Sequence, residues 1–396
     1  MKRTFSRYLL ALLPTLLPAL LPGSVHAINL DESGSLTMTG FYSLTAGKVL
    51  SGSARGANGP WQYQNWKCPC TIQNWEYTGV YQKEKGFQFD QESLLGIQLK
   101  KEFTPNFSFT TQLIARALNP NEGSKPTIDW AYLSWNPIKD LPLTVQAGRM
   151  RIPLYYYSDY LYIGYAYPWV RPAPDVYGWP IYAYDGVSLT YKQQIGKSDW
   201  AMTATGWYGN FTQRNDAYDT LIYYTTPTHE SWKKITGAAI TLNNGIIDVR
   251  GMIMKHRDTV WQDAPGGGRT TLMDNQFTRI IGLAGNIDYN NWIVKAEIDR
   301  FEQVNPDLGI RNIYKYALLG VGYNYGNWTP MYTMSRYTTV TQPIEGRRSQ
   351  YFSLRWDFQK DTALKIQYDI TKDKSNYSYP FFGDSRLLSI SLQGVF

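Results

Sequence analysis

Few residues in this chain are equipped to make or break covalent bonds. Its three histidines are His26, His229 and His256, and its two cysteines are Cys68 and Cys70. Neither G-x-S-x-G nor H-E-x-x-H occurs. Gly266, Gly267 and Gly268 lack the following Lys-Ser/Thr of a phosphate cradle and read as a flexible loop. No catalytic residue or cofactor is expected, since a hydrolase would need His229 or His256 held beside a nucleophile. Cys68 and Cys70 flank Pro69. In an oxidising compartment such a pair closes a small ring, bridges two chains or holds a metal, and a disulfide stapling a loop is the plainest of these.

Recognition chemistry is concentrated instead between Gly148 and Tyr184, in GRMRIPLYYYSDYLYIGYAYPWVRPAPDVYGWPIYAY. Arg149, Arg151, Arg171, Asp159 and Asp175 stand there among a dense series of rings that includes Tyr160 and Trp169. Stacked Tyr and Trp faces pack such a segment against a wall, or form a slide for sugar rings and aromatic acids, and one segment can do both. A connection of more than about 30 residues is uncommon in an ordered domain unless functional or disordered, and disorder does not carry so many aromatics. Residues 149–184 are therefore expected to form a folded loop. Its three arginines tilt the expected ion preference toward anions.

The elements that must position this loop follow from the rest of the chain. Lys2, Arg3 and Arg7, an apolar run from Leu9 to Leu21 and the site Val25-His26-Ala27 read as a secretory signal peptide, residues 1–27. The run is shorter than the roughly 20 residues an anchor needs and is interrupted by Pro14, Pro18 and Pro22. From Ile28 onward no apolar run is long enough for a transmembrane helix. Yet 32 Tyr, 14 Trp and 15 Phe accompany a mean hydropathy of −0.38. Strands with one face in lipid and one in water, ringed by aromatics, have that composition. The net charge of +7 is scattered and no nucleic-acid motif occurs, so no nucleic-acid partner is expected.

Alternating segments recur at about 36–49, 92–103, 107–118, 127–135, 143–148, 186–195, 200–210, 234–242, 246–257, 277–289, 292–301, 312–325, 328–340, 349–358, 362–372 and 386–396. Most suit the roughly 9 to 11 residues that a tilted strand needs to cross a bilayer. Tight turns such as Asn243-Asn244-Gly245 and Asn290-Asn291 alternate with longer connections. The fold class expected is all-β: a transmembrane antiparallel barrel of about sixteen strands over residues 28–396, with short periplasmic turns, long extracellular loops and the third loop folded inward. A charge facing lipid at mid-depth costs about 2–4 kcal/mol, so Lys100, Arg116, Arg250, Lys295, Glu297, Arg355 and Lys365 belong to the lumen wall. With Lys192, the lysines and arginines nearly balance Asp129, Asp248, Glu297, Asp299, Asp357 and Asp369, as expected of pairs that hold a wall and its transverse field. A barrel this wide cannot be filled by its own side chains and encloses water.

Terminal Phe396, the signal peptide, the strand-and-loop rhythm and the long third loop together resemble the Gram-negative porins. Gly148, Arg149, Arg151, Pro153, Ser158, Asp159, Gly164, Tyr165, Pro168, Trp169, Arg171, Pro172, Pro174 and Tyr177 resemble a segment of uncharacterised porin-like outer-membrane proteins. The resemblance implies a bacterial outer-membrane channel for passive diffusion of small hydrophilic solutes and ions, with a constriction in the third loop. It also implies a homotrimer, embedded among outer-membrane lipid and lipopolysaccharide. The alternatives are a channel specific for sugars or aromatic carboxylates, and a barrel with a surface enzymatic or adhesive role.

Overall fold

The alternating segments become antiparallel strands in the computed structural model, which describes residues 27–53, 66–118, 126–179, 181–224, 226–264, 266–305, 309–341, 344–376 and 383–396. The segment read as a signal peptide lies almost wholly outside these residues. The barrel strands are β1 (Leu36–Gly52), β2 (Leu94–Thr104), β3 (Phe107–Arg116), β4 (Thr127–Trp135), β5 (Leu143–Arg151), β6 (Ala183–Gln194), β7 (Ala201–Gln213) and β8 (Thr228–Asn243). They continue with β9 (Ile247–Asp263), β10 (Arg269–Tyr289), β11 (Trp292–Asn305), β12 (Ile310–Tyr323), β13 (Trp328–Thr339), β14 (Gly346–Gln359), β15 (Thr362–Asp373) and β16 (Ser385–Val395). Each pairs with its chain neighbour, and β16 returns to β1 with Ser385 opposite Gly52 and Val395 opposite Phe41. Closure leaves no row of unpaired backbone groups in lipid, where each would cost several kcal/mol.

Both faces follow the alternation. Leu95, Leu113, Leu133, Leu189, Ile240, Ile253, Ile281, Ile298, Leu319, Met334, Phe352, Ile366 and Ile390 form an exposed apolar band around the outside. At the short-turn end Trp328 stacks on Trp356 at 5.0 Å, and Trp292 meets Tyr323 edge-on at 5.1 Å. Rings that are apolar in body and polar at the tip suit a membrane–water boundary.

The ends of the chain meet at the seam. Phe396 exchanges both backbone hydrogen bonds with Gly40, and the short strand Ile28–Asn29 pairs with Met38 and Thr37 immediately below it. A Cβ on Gly40 would lie 2.3 Å from the Phe396 ring, so only glycine lets the terminal ring lie flat there.

Strand number agrees with the sequence expectation, while several outer ends reach further. β8 starts at Thr228 rather than at 234, β9 runs to Asp263 rather than 257, and β10 starts at Arg269 rather than 277. Polar residues occupy both faces of these extensions, which hides the period of two, while the ladder itself continues to Thr228 opposite Gln262. Likewise β5 runs through Arg151 and β6 begins at Ala183, so the third loop is residues 152–182 rather than 149–184.

Candidate functional site

An irregular loop inside a barrel carries backbone carbonyls and amides that no sheet partner satisfies, and burying them unpaired is costly. The wall supplies the partners. Lys365, fully buried on β15, donates to the carbonyl oxygens of Gly164 (2.6 Å), Tyr167 (2.5 Å) and Trp169 (2.9 Å). Arg355 on β14 reaches the carbonyls of Tyr165 (2.6 Å) and Tyr167 (3.2 Å), and Arg250 on β9 those of Pro153 (2.5 Å) and Tyr155 (2.6 Å). Glu297 on β11 accepts the Tyr156 amide and the Tyr177 hydroxyl, both at 2.7 Å. Gln367 accepts from the Val170 amide and Gln393 donates to its carbonyl, each at 2.8 Å. Several lumen charges expected to oppose one another are thus spent on the loop, although Arg355 also pairs with Asp357 at 2.7 Å.

Loop side chains complete the clasp. The Arg171 guanidinium donates to Glu92 (2.5 Å), Asp369 (3.0 Å) and Ser389 (2.7 Å). Asp175 takes Arg347 at 3.1 Å and the Ser335 hydroxyl at 2.7 Å, and the Trp169 indole donates to Thr333 at 2.8 Å. Between these contacts lies an aromatic core. Tyr157 meets Trp169 and Tyr160 edge-on, each at 5.6 Å, and Tyr155 packs on Phe301. Tyr155, Tyr157, Tyr167, Trp169, Tyr177 and Tyr182 are all buried, so most of the rings pack the loop; Tyr156, Tyr160, Tyr165 and Trp179 keep part of their faces open.

The sequence-derived residues divide accordingly. Arg151, Trp169, Arg171 and Asp175 are buried, Tyr160 is half-buried, and Asp159 is exposed. Arg151 is neutralised by Asp129 at 2.7 Å. Arg149 does not join them: it shares the outward face with Ala147, pairs with Asp185 at 2.8 Å and lies over the Phe211 ring. None of the three arginines is therefore free to face a passing ion, and the anion tilt loses its basis. Of the remaining wall residues, Lys295 stands over the Tyr157 ring, Arg116 lies between the rings of Tyr77 and Tyr162, and Lys100 pairs with Glu102.

A second layer escapes the sequence reading. The first outer loop folds into a hairpin, Cys70–Asn74 with Gly79–Gln82, and Cys68 is joined to Cys70 as a disulfide beside it. Trp75 donates to the Pro174 carbonyl at 2.9 Å, Tyr81 donates to Glu92 at 2.8 Å, and Tyr162 donates to Glu76. The run Asn74-Trp75-Glu76-Tyr77 between two short apolar segments was the available signal.

Elsewhere on the inner face, β2–β7 carry several neutral polar groups beside Lys100 and Lys192. Gln112 donates to Gln98 at 3.2 Å, Gln146 to Ser134 at 3.3 Å and Ser188 to Gln146 at 3.2 Å, and Thr190 meets Thr205 at 3.1 Å. The two histidines lie elsewhere. His256 is stacked on Trp232 at 3.8 Å, while His229 accepts the Asn215 amide at 3.0 Å and lies 3.3 Å from Asp263.

No protein-family model and no curated protein matches the sequence. Solved structures do resemble it. The anion-selective porin from Comamonas acidovorans superposes with a TM-score of 0.56 at 13% identity, over 91% of this chain and 99% of that one. The outer membrane channel DcaP of Acinetobacter baumannii gives 0.53 at 10%, over 91% and 97%. OmpT, an outer membrane protein of Vibrio cholerae in a trimer form, gives 0.55 at 8%, over 91% and 100%. At these identities the likeness is one of fold: a sixteen-stranded barrel of the outer-membrane porin type, with its third loop drawn inside.

Proposed function

We propose that this chain is exported, loses residues 1–27, and serves in the bacterial outer membrane as a channel for passive diffusion of small hydrophilic solutes, filtered by the third loop. One observation carries the reading: the loop is clasped against β9–β16, while the inner face of β2–β7 bears several neutral hydrogen-bonding groups. A path between those two surfaces is polar and narrow, and its exposed charges, Asp159, Lys192 and the Lys100–Glu102 pair, nearly balance, so ion discrimination is weak. In planar bilayers the protein should give stepwise conductance that rises when residues 155–179 are replaced by a short linker. Folded protein that conducts in neither form would end this reading.

A second reading, a sugar-specific channel, is favoured by a cavity of about 250 Å³ lined by Trp75, Trp179, Tyr218, Tyr314, Tyr316 and Tyr337. Asp219, Glu230 and Glu345 share that lining and oppose an aromatic carboxylate. Saturable block by an oligosaccharide, relieved by Trp179→Ala, is its signature.

Two partners belong to the same proposal. Arg336, Arg348 and Lys372 lie directly opposite one another on β13–β15, on the lipid-facing side. Asp384 pairs with Lys372 at 2.7 Å, but Arg336 and Arg348 still repel across the ladder, and a phosphate-bearing lipid such as lipopolysaccharide would relieve them. The low wall of β2–β5, with strands of 9 to 11 residues against 16 to 21 in β8–β10, offers outward Leu95, Leu113 and Leu133 to a second copy, consistent with a trimer. Native mass spectrometry in detergent reads both, and a bare monomer would remove both.

A further inference from the structure

The outer ends of β7–β11 hold acids that the clasp does not use. Asp216 and Asp219 come from the fourth outer loop, residues 214–227, Glu230 from β8 and Asp258 from β9, and all four are buried. Carboxylate oxygens of Asp216, Asp219 and Glu230 lie within 4.8 Å of one another. Among the described residues none of the four makes an ion pair with a lysine or arginine.

Their hydrogen bonds leave oxygens over. Asp216 Oδ2 caps the following helical turn by accepting the amides of Tyr218 (3.1 Å) and Asp219 (3.3 Å), while its Oδ1, in a fully buried residue, has no partner. Glu230 accepts the Trp232 indole at 2.7 Å. Asp258 accepts Gln303 through one oxygen and nothing through the other. Gln276, 3% exposed, lines the same cavity as Asp219 and Glu230, and its Oε1 is also unpartnered. Several buried carboxylates without a cation cost several kcal/mol each unless something positive joins them.

We propose that Asp216, Asp219 and Glu230 bind one calcium ion that ties the fourth outer loop to the barrel rim. Calcium takes oxygens at about 2.3–2.6 Å, so ligands on opposite sides of one ion stand about 5 Å apart, and three oxygens within 4.8 Å fit a single sphere. A donor set of carboxylates with a neighbouring amide oxygen suits a hard cation rather than a thiophilic or imidazole-seeking one. Magnesium prefers a stricter octahedron and keeps its waters, whereas calcium tolerates ligands drawn unevenly from a loop and a strand. The tie has reach: Ile222 of this loop packs with Trp75 of the first-loop hairpin, which itself bonds to the third loop at Pro174. The inference does not depend on the barrel conducting.

The full-length folded protein in detergent, stripped with EGTA and titrated with Ca²⁺ by calorimetry, should take up one ion per chain. Tryptic cleavage after exposed Arg214 should slow at least tenfold once it is bound. Asp219→Asn and Glu230→Gln should each weaken uptake at least tenfold while the barrel keeps its β-type circular dichroism. Absence of uptake by the wild-type protein, or undiminished uptake by both variants, overturns the site. Equal affinity for Mg²⁺ overturns the choice of ion.

Discussion

Arg171→Met is the sharpest test of the clasp. The substitution keeps most of the side-chain volume and removes a guanidinium that touches two carboxylates and a hydroxyl in a buried setting, its side chain 6% exposed against 10% for Glu92 and 1% for Asp369. Removing one partner of a buried ion pair costs about 3–5 kcal/mol, because the remaining charge is left stranded, and here two are left. At about 1.4 kcal/mol per factor of ten, the equilibrium between seated and unseated loop shifts by roughly two to four decades. Lys365, Arg355 and Arg250 still hold the rest, so residues near 170–174 should loosen while the barrel stays closed. Single-channel records should then show larger, flickering openings. The triple variant Arg171→Met, Glu92→Gln, Asp369→Asn strands no charge and should recover quiet conductance. Wild-type openings in the single variant, or a triple variant no quieter than the single, would refute the reasoning.

Other perturbations separate the roles. Trp169→Phe loses the indole bond to Thr333 at 2.8 Å and should lower stability by about 1 kcal/mol without altering ion preference, read by thermal unfolding and reversal potential. Asp159→Asn should shift the reversal potential toward anions: an ion passing at about 8 Å in water feels about 0.5 kcal/mol from one charge. No shift would mean that the path lies elsewhere. Burial pushes the Glu345 carboxyl up to about 7 from 4.5, although the Tyr337 hydroxyl and Arg347 oppose the shift and Asp373 adds to it. The folded state therefore holds a proton that the unfolded state releases between those values, so stability falls as pH rises through that window, by at most about 3 kcal/mol. Melting curves from pH 5 to 8 should flatten in Glu345→Gln, and an unchanged slope would exclude this carboxyl as the cause. Gly40→Val should displace the Phe396 ring and lower the yield of closed barrel, read by heat-dependent gel mobility.

The barrel is legible in the sequence because lipid imposes a period of two on one face of every strand. Phe352, Leu354, Trp356 and Phe358 face out while Tyr351, Ser353 and Arg355 face in, and no other arrangement keeps that arginine out of hydrocarbon. The third loop is legible as a folded segment from its rings. What it touches is not. The partners of Lys365 are carbonyls as far as 201 residues earlier in the chain, and a carbonyl leaves no mark in the residue that bears it. Arg149 and Arg151 are two positions apart and look equivalent, yet one pairs with Asp185 on the outer face and the other with Asp129 inside, because the chain turns inward as β5 ends. The acids Asp216, Asp219 and Glu230 are scattered through an unremarkable stretch, and only the folding back of the loop onto β8 collects them.

Most of the clasp is also made by the end of the chain. Its anchors on β13–β16, Thr333, Arg347, Arg355, Lys365, Asp369 and Gln393, all follow the third loop in the chain by well over a hundred residues. A half-made sheet offers the loop chiefly Glu92, Arg250 and Glu297, so most of its hold is missing until the last hairpins arrive. If strands are laid down in chain order, sealing of the seam and full seating of the loop become nearly one event.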